Sequence, residues 1–287
     1  MGSARERRAT LRSARELEGA AARRRAPPSS PALAGGEALA MLVRRGLRPR
    51  VAEPDLPFPD GLDAPAVERV AARLAHYAFR LFLRGAILAP GAFRPADATR
   101  YLDASQARRM AEDLVELGLA ARAGRGRYRL ARPARSFGGT LEWWVARELA
   151  RRLGFDAVAG VKSGARGVGG DLDVVAAAEG KLVYVELKSS PPKHVAAEEV
   201  AAFARRARAL RADVTVFAVD TALRLSDRVL PMLSAELALA GQPGRCLSRE
   251  NWIVAPHVYA VNARQDLIEN VGVAIADGLL SLGPPLR

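Results

Sequence analysis

The chain is poor in the groups that cross-link a protein or carry it through a membrane. Its one cysteine, Cys246, can form no internal disulfide and offers no metal cluster, which fits a reducing, cytoplasmic setting. No apolar run reaches the roughly 18 residues needed to span a bilayer, and the arginine-rich start lacks the apolar core of a secretory signal. A membrane partner is therefore not expected. Lysine is scarce too: only four of the 44 basic residues are lysine, so arginine carries nearly all of the net charge of +13. Such an excess points to a polyanionic partner; its bland counterpart is an arginine bias from GC-rich coding that keeps the surface soluble. What is abundant is apolar material. At 287 residues and 49% hydrophobic content the chain suffices for two modest domains with real cores, which excludes a wholly disordered protein.

Residues 1–62 comprise an arginine- and alanine-rich start, the break "APPSSPALAGG" and the proline-dotted stretch "RPRVAEPDLPFPDG". The first 50 residues carry 12 Arg and 4 Glu and little to pack, so this segment reads as a basic arm without a fold of its own. A start at Met41 is the alternative. Order is expected from Asp63, an N-cap with Pro65 in the first turn, into one long core helix on which Val67, Val70, Leu74, Tyr77, Ala78 and Leu81 recur at helical spacing. His76 beside that face reads as a packed or capping residue, not a ligand.

The next stretch, "RPADATRYLDASQARRMAEDLVELGLAARAGRGRYRLAR", predicts a short helix over 95–101, a turn with Asp103 or Ser105 as cap, and a second helix to Leu117 stopped by Gly118. A hairpin follows, with strands at 119–123 and 127–131 and Gly124, Arg125 and Gly126 in its turn. Helix, turn, helix and basic hairpin resemble a winged-helix domain over residues 63–135. The resemblance implies that Arg108 and Arg109 on the second helix enter the DNA major groove and that Arg122, Arg125, Arg127 and Arg129 of the hairpin lie on backbone or minor groove. Glu112, Asp113 and Glu116 on the same helix count against that role, and winged helices also serve as protein-interaction modules.

From Phe137 the pattern alternates helix and strand, predicting an α/β layer over residues 136–287 in the order αβββαβ with a C-terminal extension. Within it, "GGDLDVVAAAEGKLVYVELKSS" places Asp171, Asp173, Glu186 and Lys188 on two strands joined at Glu179 and Gly180. Alternation puts Tyr184, Glu186 and Lys188 on one face and Val183, Val185 and Leu187 on the other. Clustered carboxylates repel unless protonated or bound to a cation, and hard oxygen ligands suit Mg²⁺ or Mn²⁺.

A helix Glu, an Asp after a glycine-rich loop and E-x-K on the next strand resemble the PD-(D/E)XK nuclease superfamily, whose core has the same αβββαβ order. The resemblance implies that Asp173, Glu186 and the Leu187 carbonyl ligate the metal. It also implies that Lys188 orients the attacking water or stabilises phosphoryl charge, and that Glu142 is a further metal or water contact. The implied reaction is metal-assisted phosphodiester hydrolysis. The literal Pro-Asp is absent, this chain having "GDLD"; Asp171 remains a secondary candidate for the place given to Asp173. A cross-strand Glu186–Lys188 ion pair without catalysis is the plain alternative.

Of Trp143 and Trp144, one is expected to pack under the sheet. Ser163, Arg166 and Ser189 flank the site, Lys193 is expected to contact substrate, and His194 is given no metal role. The segment beyond Gly241 resembles no motif; covering a sheet edge or forming a homodimer contact are its expected uses. "ELARRLGFDAVAGVKSG" with "VELKSS" resembles archaeal Holliday-junction resolvases. "GGTLEWWVARELA" behind a winged helix resembles CRISPR-linked ancillary nucleases activated by cyclic oligoadenylates, but nothing before residue 63 reads as the nucleotide-sensing Rossmann domain those enzymes carry. The expectation is a metal-dependent DNA endonuclease, with RNA as an alternative substrate and a non-catalytic nucleic-acid-binding scaffold as the competing class.

Overall fold

The computed structural model describes residues 36–164, 168–237 and 244–283. The first element, α1 (Gly36–Arg44), buries Ala38, Leu39, Met41 and Leu42, and β1 (Arg50–Val51) follows it. The arm expected over 1–62 is thus structured from Gly36 on, because four apolar side chains at helical spacing give α1 a face to bury. Residues 1–35 lie outside the described residues.

The long helix expected from Asp63 is two helices, α2 (Ala64–Leu74) and α3 (Tyr77–Leu88). Asp63 caps α2, accepting from the Ala66 N–H at 2.7 Å. The break falls at His76, whose backbone is extended (φ −84°, ψ 118°), and Arg80 holds it. The Arg80 guanidinium donates to the Leu74 and Ala75 carbonyls at 2.6 and 3.1 Å, satisfying acceptors that the end of α2 leaves open. Its other donors reach the buried Asp220 carboxylate at 2.8–3.1 Å, and Trp144 lies 4.8 Å from its guanidinium carbon.

Then come β2 (Ala92–Phe93), α4 (Pro95–Ala98), α5 (Ala104–Glu116), β3 (Ala120–Arg122) and β4 (Tyr128–Leu130), the strands forming a sheet in the order β2-β4-β3. Asp103, not Ser105, caps α5 in a reciprocal capping box with Gln106. Gly124, Arg125 and Gly126 all take positive φ in the hairpin turn.

The remainder runs α6 (Gly138–Leu153), β5 (Asp156–Lys162), β6 (Asp171–Ala178), β7 (Lys181–Lys188), α7 (Ala197–Leu210), β8 (Val214–Val219), α8 (Val229–Glu236), β9 (Arg245–Ser248), β10 (Asn251–Ala255), β11 (Val258–Asn262) and α9 (Leu267–Ser281). The result is a mixed α/β fold on an eight-stranded sheet, ordered β1-β5-β6-β7-β8-β11-β10-β9. Glu179 and Gly180, both at positive φ, make the tight turn between β6 and β7. β8 runs parallel to β7, as a strand reached through a helical crossover can. The C-terminal segment covers the β8 edge by lengthening the sheet: β11 adds parallel to β8 and carries β10 and β9 beyond it.

Each face of the sheet is packed. On one side Val174, Ala176, Val183, Val185, Val214 and Val216 meet α6 and α9. On the other Val175, Leu182, Tyr184 and Phe217 meet α1, α7 and α8. The first of these cores continues without interruption into Val70, Leu74, Phe79, Phe82, Leu114 and Tyr128. The two regions divided in sequence at 135 and 136 therefore share one core and belong to one compact unit, Gly35–Arg287. No helix among the described residues is long and apolar enough to cross a membrane.

The Arg80–Asp220 pair is almost wholly buried, with side chains 1% and 2% exposed. Removing one charge from such a pair strands the other, so Asp220→Asn is expected to destabilise the fold by about 3–5 kcal/mol, read from urea unfolding.

Candidate active site

Strand alternation fails at one level of the sheet, and the carboxylates gather there. Along β6, Val174 and Ala176 face the α6 side and Val175 the α7 side, yet Leu172 also joins the α7 side; the slip falls at Asp173. On β5, Val158 and Val161 both join the α7-side core, so the slip falls at Gly160. The pairs Ala159–Val174 and Val161–Leu172 put Gly160 opposite Asp173. Gly160 has φ +62°, a conformation L side chains rarely adopt.

At the same level β6 parts from β7. The last ladder pair on this side is Val174–Val185, after which the Asp173 carboxylate replaces the strand and accepts from the Leu187 N–H at 2.7 Å. β7 meanwhile stays paired with β8 as far as Lys188–Val219. The N–H and C=O of an extended residue point to the same side, so the Leu187 carbonyl faces the gap with Asp173.

Glu142, on the first turns of α6, reaches the same place from the other layer. A Cβ on Gly138 would lie 3.6 Å from its Oε1 and one on Gly160 3.9 Å from its Oε2. Two glycines thus leave room for this carboxyl. Asp171, exposed at the start of β6, adds its charge to the cluster.

Glu186 is 1% exposed and densely partnered. Arg206 donates to its two oxygens at 2.7 and 2.6 Å, Lys188 lies 3.0 Å from Oε1, and the Tyr184 hydroxyl donates to Oε2. Arg206 also donates to the Tyr184 hydroxyl at 2.8 Å. Lys188 is shared with Glu199 at 2.9 Å. The cluster brings together Glu142, Asp173, Glu186 and Lys188, which the sequence pattern named, with Tyr184, Arg206 and Glu199, which it did not. A signal for the last two exists: Glu199, Phe203, Arg206 and Leu210 fall on one helical face, where an arginine and a glutamate among apolar positions need partners.

The electrostatics follow from this crowding. Burial, then the charges of Glu186 and Glu142, push the Asp173 carboxyl well above the usual range, against the Leu187 N–H and Lys188. Burial alone would lower the Lys188 ammonium, but the Glu186 charge and hydrogen bonds to Glu199 and Glu186 outweigh it and raise it. The lysine stays a cation.

Hard divalent cations take oxygen ligands, and Asp173, Glu186 and the Leu187 carbonyl supply them. Repulsion among buried carboxylates is the stress that a cation relieves. The donors thus fit Mg²⁺ or Mn²⁺ in kind. Against this, no group of three or more His, Cys, Asp or Glu among the described residues is spaced to hold a metal, and Arg206 already engages Glu186.

The other expected contacts divide. Arg108 and Arg109 are exposed on α5. Arg122 is ion-paired to Glu112 and Arg127 donates to the Ala92 carbonyl at 3.1 Å, whereas Arg125 and Arg129 are exposed. Lys193 and His194 are exposed in the 3₁₀ turn Pro192–His194. Ser163 is buried, Ser189 offers its carbonyl to Arg84, and Arg166 lies outside the described residues. Trp144 is the tryptophan under the sheet, its Nε1 donating to the Ala71 carbonyl at 3.1 Å; Trp143 packs edge-on to Phe58.

No protein family matches the chain, and no curated protein does. Among solved structures it is similar to protein VC1899 from Vibrio cholerae, at 17% identity and TM-score 0.49, over 83% of this chain and 62% of that one. It is also similar to Can2 from Sulfobacillus thermosulfidooxidans, determined in complex with cyclic tetra-adenylate, at 15% identity and TM-score 0.42, over 85% of this chain and 59% of that one. The chain spans about three fifths of the length of either structure.

The Glu142 carboxyl is pushed up to about 7, first by burial, then by the charges of Asp171 and Glu186, with Lys188 opposing. Its folded value lies above the ordinary 4.5, so between these values the folded chain holds a proton that the unfolded chain has lost. Stability therefore falls as pH rises through that window. Glu142→Gln is expected to remove about 3 kcal/mol of that decline, seen as a flatter profile of urea midpoint against pH.

Proposed function

We propose that the chain is a metal-dependent DNA endonuclease, a phosphodiester hydrolase, with residues 63–135 acting as a winged-helix targeting module. The observation that carries this reading is the convergence of Asp173, Glu186, the Leu187 carbonyl and Lys188 where β6 parts from β7. A bare ion pair between Glu186 and Lys188 needs neither the parted strands nor two further half-buried carboxyls.

The groups have separable tasks. Asp173, Glu186 and the Leu187 carbonyl would hold Mg²⁺ or Mn²⁺. When bound, the cation supplies an acidified water and a counter-charge for the phosphoryl oxygens. Lys188, held between Glu186 and Glu199, presents an ammonium that can donate to a phosphoryl oxygen or orient water. Glu142, with its carboxyl near neutrality, can take or return a proton at the same end of the sheet. Arg206 and Tyr184 are positioning residues that fix the Glu186 carboxylate. Arg108, Arg109, Arg125 and Arg129, exposed on the helix and hairpin, are the DNA contacts of the targeting module, RNA being the alternative polymer.

One observation favours a second reading, a nucleic-acid-binding scaffold without catalysis: Glu186 is already neutralised by Arg206 and Lys188. Metal binding separates the two. On the nuclease reading Glu186→Gln loses Mn²⁺ binding by calorimetry, and Arg206→Gln tightens it because the guanidinium no longer competes. On the scaffold reading wild type and both variants are equally blind to Mn²⁺. Cleavage of supercoiled, linear, single-stranded and branched DNA, with RNA alongside, is expected in Mg²⁺ or Mn²⁺ for wild type. It is expected to fall by about a thousandfold or more in Glu186→Ala and Lys188→Ala, given what single electrostatic catalytic groups contribute.

A further inference from the structure

The end of β7 is overhung by a surface that the site's chemistry does not use. Arg84, on α3, donates to the Ser189 carbonyl, one residue past Lys188. Its neighbour Gly85 is where α3 and α4 touch: a Cβ there would lie 1.6 Å from the Ala98 carbonyl oxygen. That contact brings Arg100 and Tyr101, just beyond Ala98, to the flank of Arg84. Lys193, exposed in the turn after β7, is close enough for its charge to act on Tyr101.

Tyr101 is 57% exposed, although the core of the adjoining helices is well filled. Its ring is nevertheless held. The Arg100 guanidinium lies 5.2 Å from the ring centroid and donates to the Tyr101 hydroxyl at 3.2 Å, while the Tyr101 backbone N–H donates to Thr99 Oγ1 at 3.2 Å. The phenol is lowered first by that Arg100 hydrogen bond, then by the charges of Arg100, Lys193 and Arg84, so three cations bear on one ring. The nearest acid along the chain, Asp103, is turned into its own helix cap.

The geometry points to a stacking platform for an unpaired nucleobase: Tyr101 takes the base of a single strand leaving the active site, and Arg84, Arg100 and Lys193 follow its phosphates. A fixed, exposed ring among cations suits a base, because every base presents a π face and brings phosphate charge with it. Inside a duplex that face is covered by its stacked neighbours, so the surface selects unpaired or distorted strands. This assignment rests on the phosphodiesterase reading and names the form of its substrate.

The test is equilibrium binding by fluorescence anisotropy with the full chain in chelator, where nothing is cut and the metal question does not enter. The probes are labelled single strands of DNA and of RNA and a DNA duplex of equal length. Tyr101→Ala is expected to raise the single-strand Kd by about tenfold or more, as losing one base stack does, with the duplex changed by less than about twofold. Tyr101→Trp is expected to restore it. The more strongly affected single strand, DNA or RNA, supports the assignment and names the sugar. Unchanged single-strand affinity, or equal loss on single strand and duplex, overturns it. Absence of cleavage in Mn²⁺ alongside a selective Tyr101 effect would remove the nuclease reading while leaving the platform.

Discussion

Arg80 is the constraint on which the rest depends. A guanidinium buried to 1% exposure is tolerable only if nearly every donor is met, and here two carbonyls, a carboxylate and an aromatic face meet it. The consequences run in both directions. Toward the N-terminus it sets the break between α2 and α3. Toward the sheet it fixes Asp220, whose backbone N–H bonds the Lys188 carbonyl at 2.8 Å. Arg84, one turn further along α3, takes the next carbonyl, that of Ser189. A helix outside the α/β layer thus clamps the end of the strand that carries Glu186 and Lys188, and the continuous core across residue 135 is the apolar counterpart of that clamp.

The site exploits a second constraint, the loss of regular pairing at one level of the sheet. A strand flanked on both sides has no spare backbone group to offer a ligand. Parting β6 from β7 after Val174–Val185 frees the Leu187 carbonyl while the Asp173 carboxylate satisfies the Leu187 N–H, so that donor keeps a partner across the opening. Gly160 permits the slip on the neighbouring strand and, with Gly138, leaves space for Glu142. Regularity is given up at the place where function would need it.

How much of this was legible in the sequence depends on the range of the interaction. The β6–β7 hairpin, the E-x-K alternation and the Asp103 cap are local, and residue type and spacing encode them. The division of the first helix was not legible, because no proline or glycine marks it: its cause is Asp220, 140 residues away. The strand β1 escaped because two residues between prolines carry no period, and it exists only by pairing with β5. The position of Glu142 could be matched to a pattern; its proton affinity could not, since that follows from burial against carboxylates that arrive from other elements.

The cluster's charges connect its parts. Glu142, Asp173, Glu186 and Glu199 face two cations, Lys188 and Arg206, so the protein alone leaves the carboxylates in excess. It answers in two ways: by raising proton affinity at Asp173 and Glu142, and by turning both cations onto the most buried carboxylate, Glu186. The alternatives differ in cost. A proton on a buried carboxyl holds only while the pH permits, whereas Arg206 is charged at every physiological pH and is fixed at a second point by Tyr184. The arginine therefore sets the threshold for any cation seeking Glu186: it must offer that carboxylate more than a hydrogen-bonded guanidinium does. On the proposed reading Asp173 and the Leu187 carbonyl, to which no cation of the described residues is hydrogen-bonded, would supply the surplus that a divalent ion can collect and a guanidinium on α7 cannot.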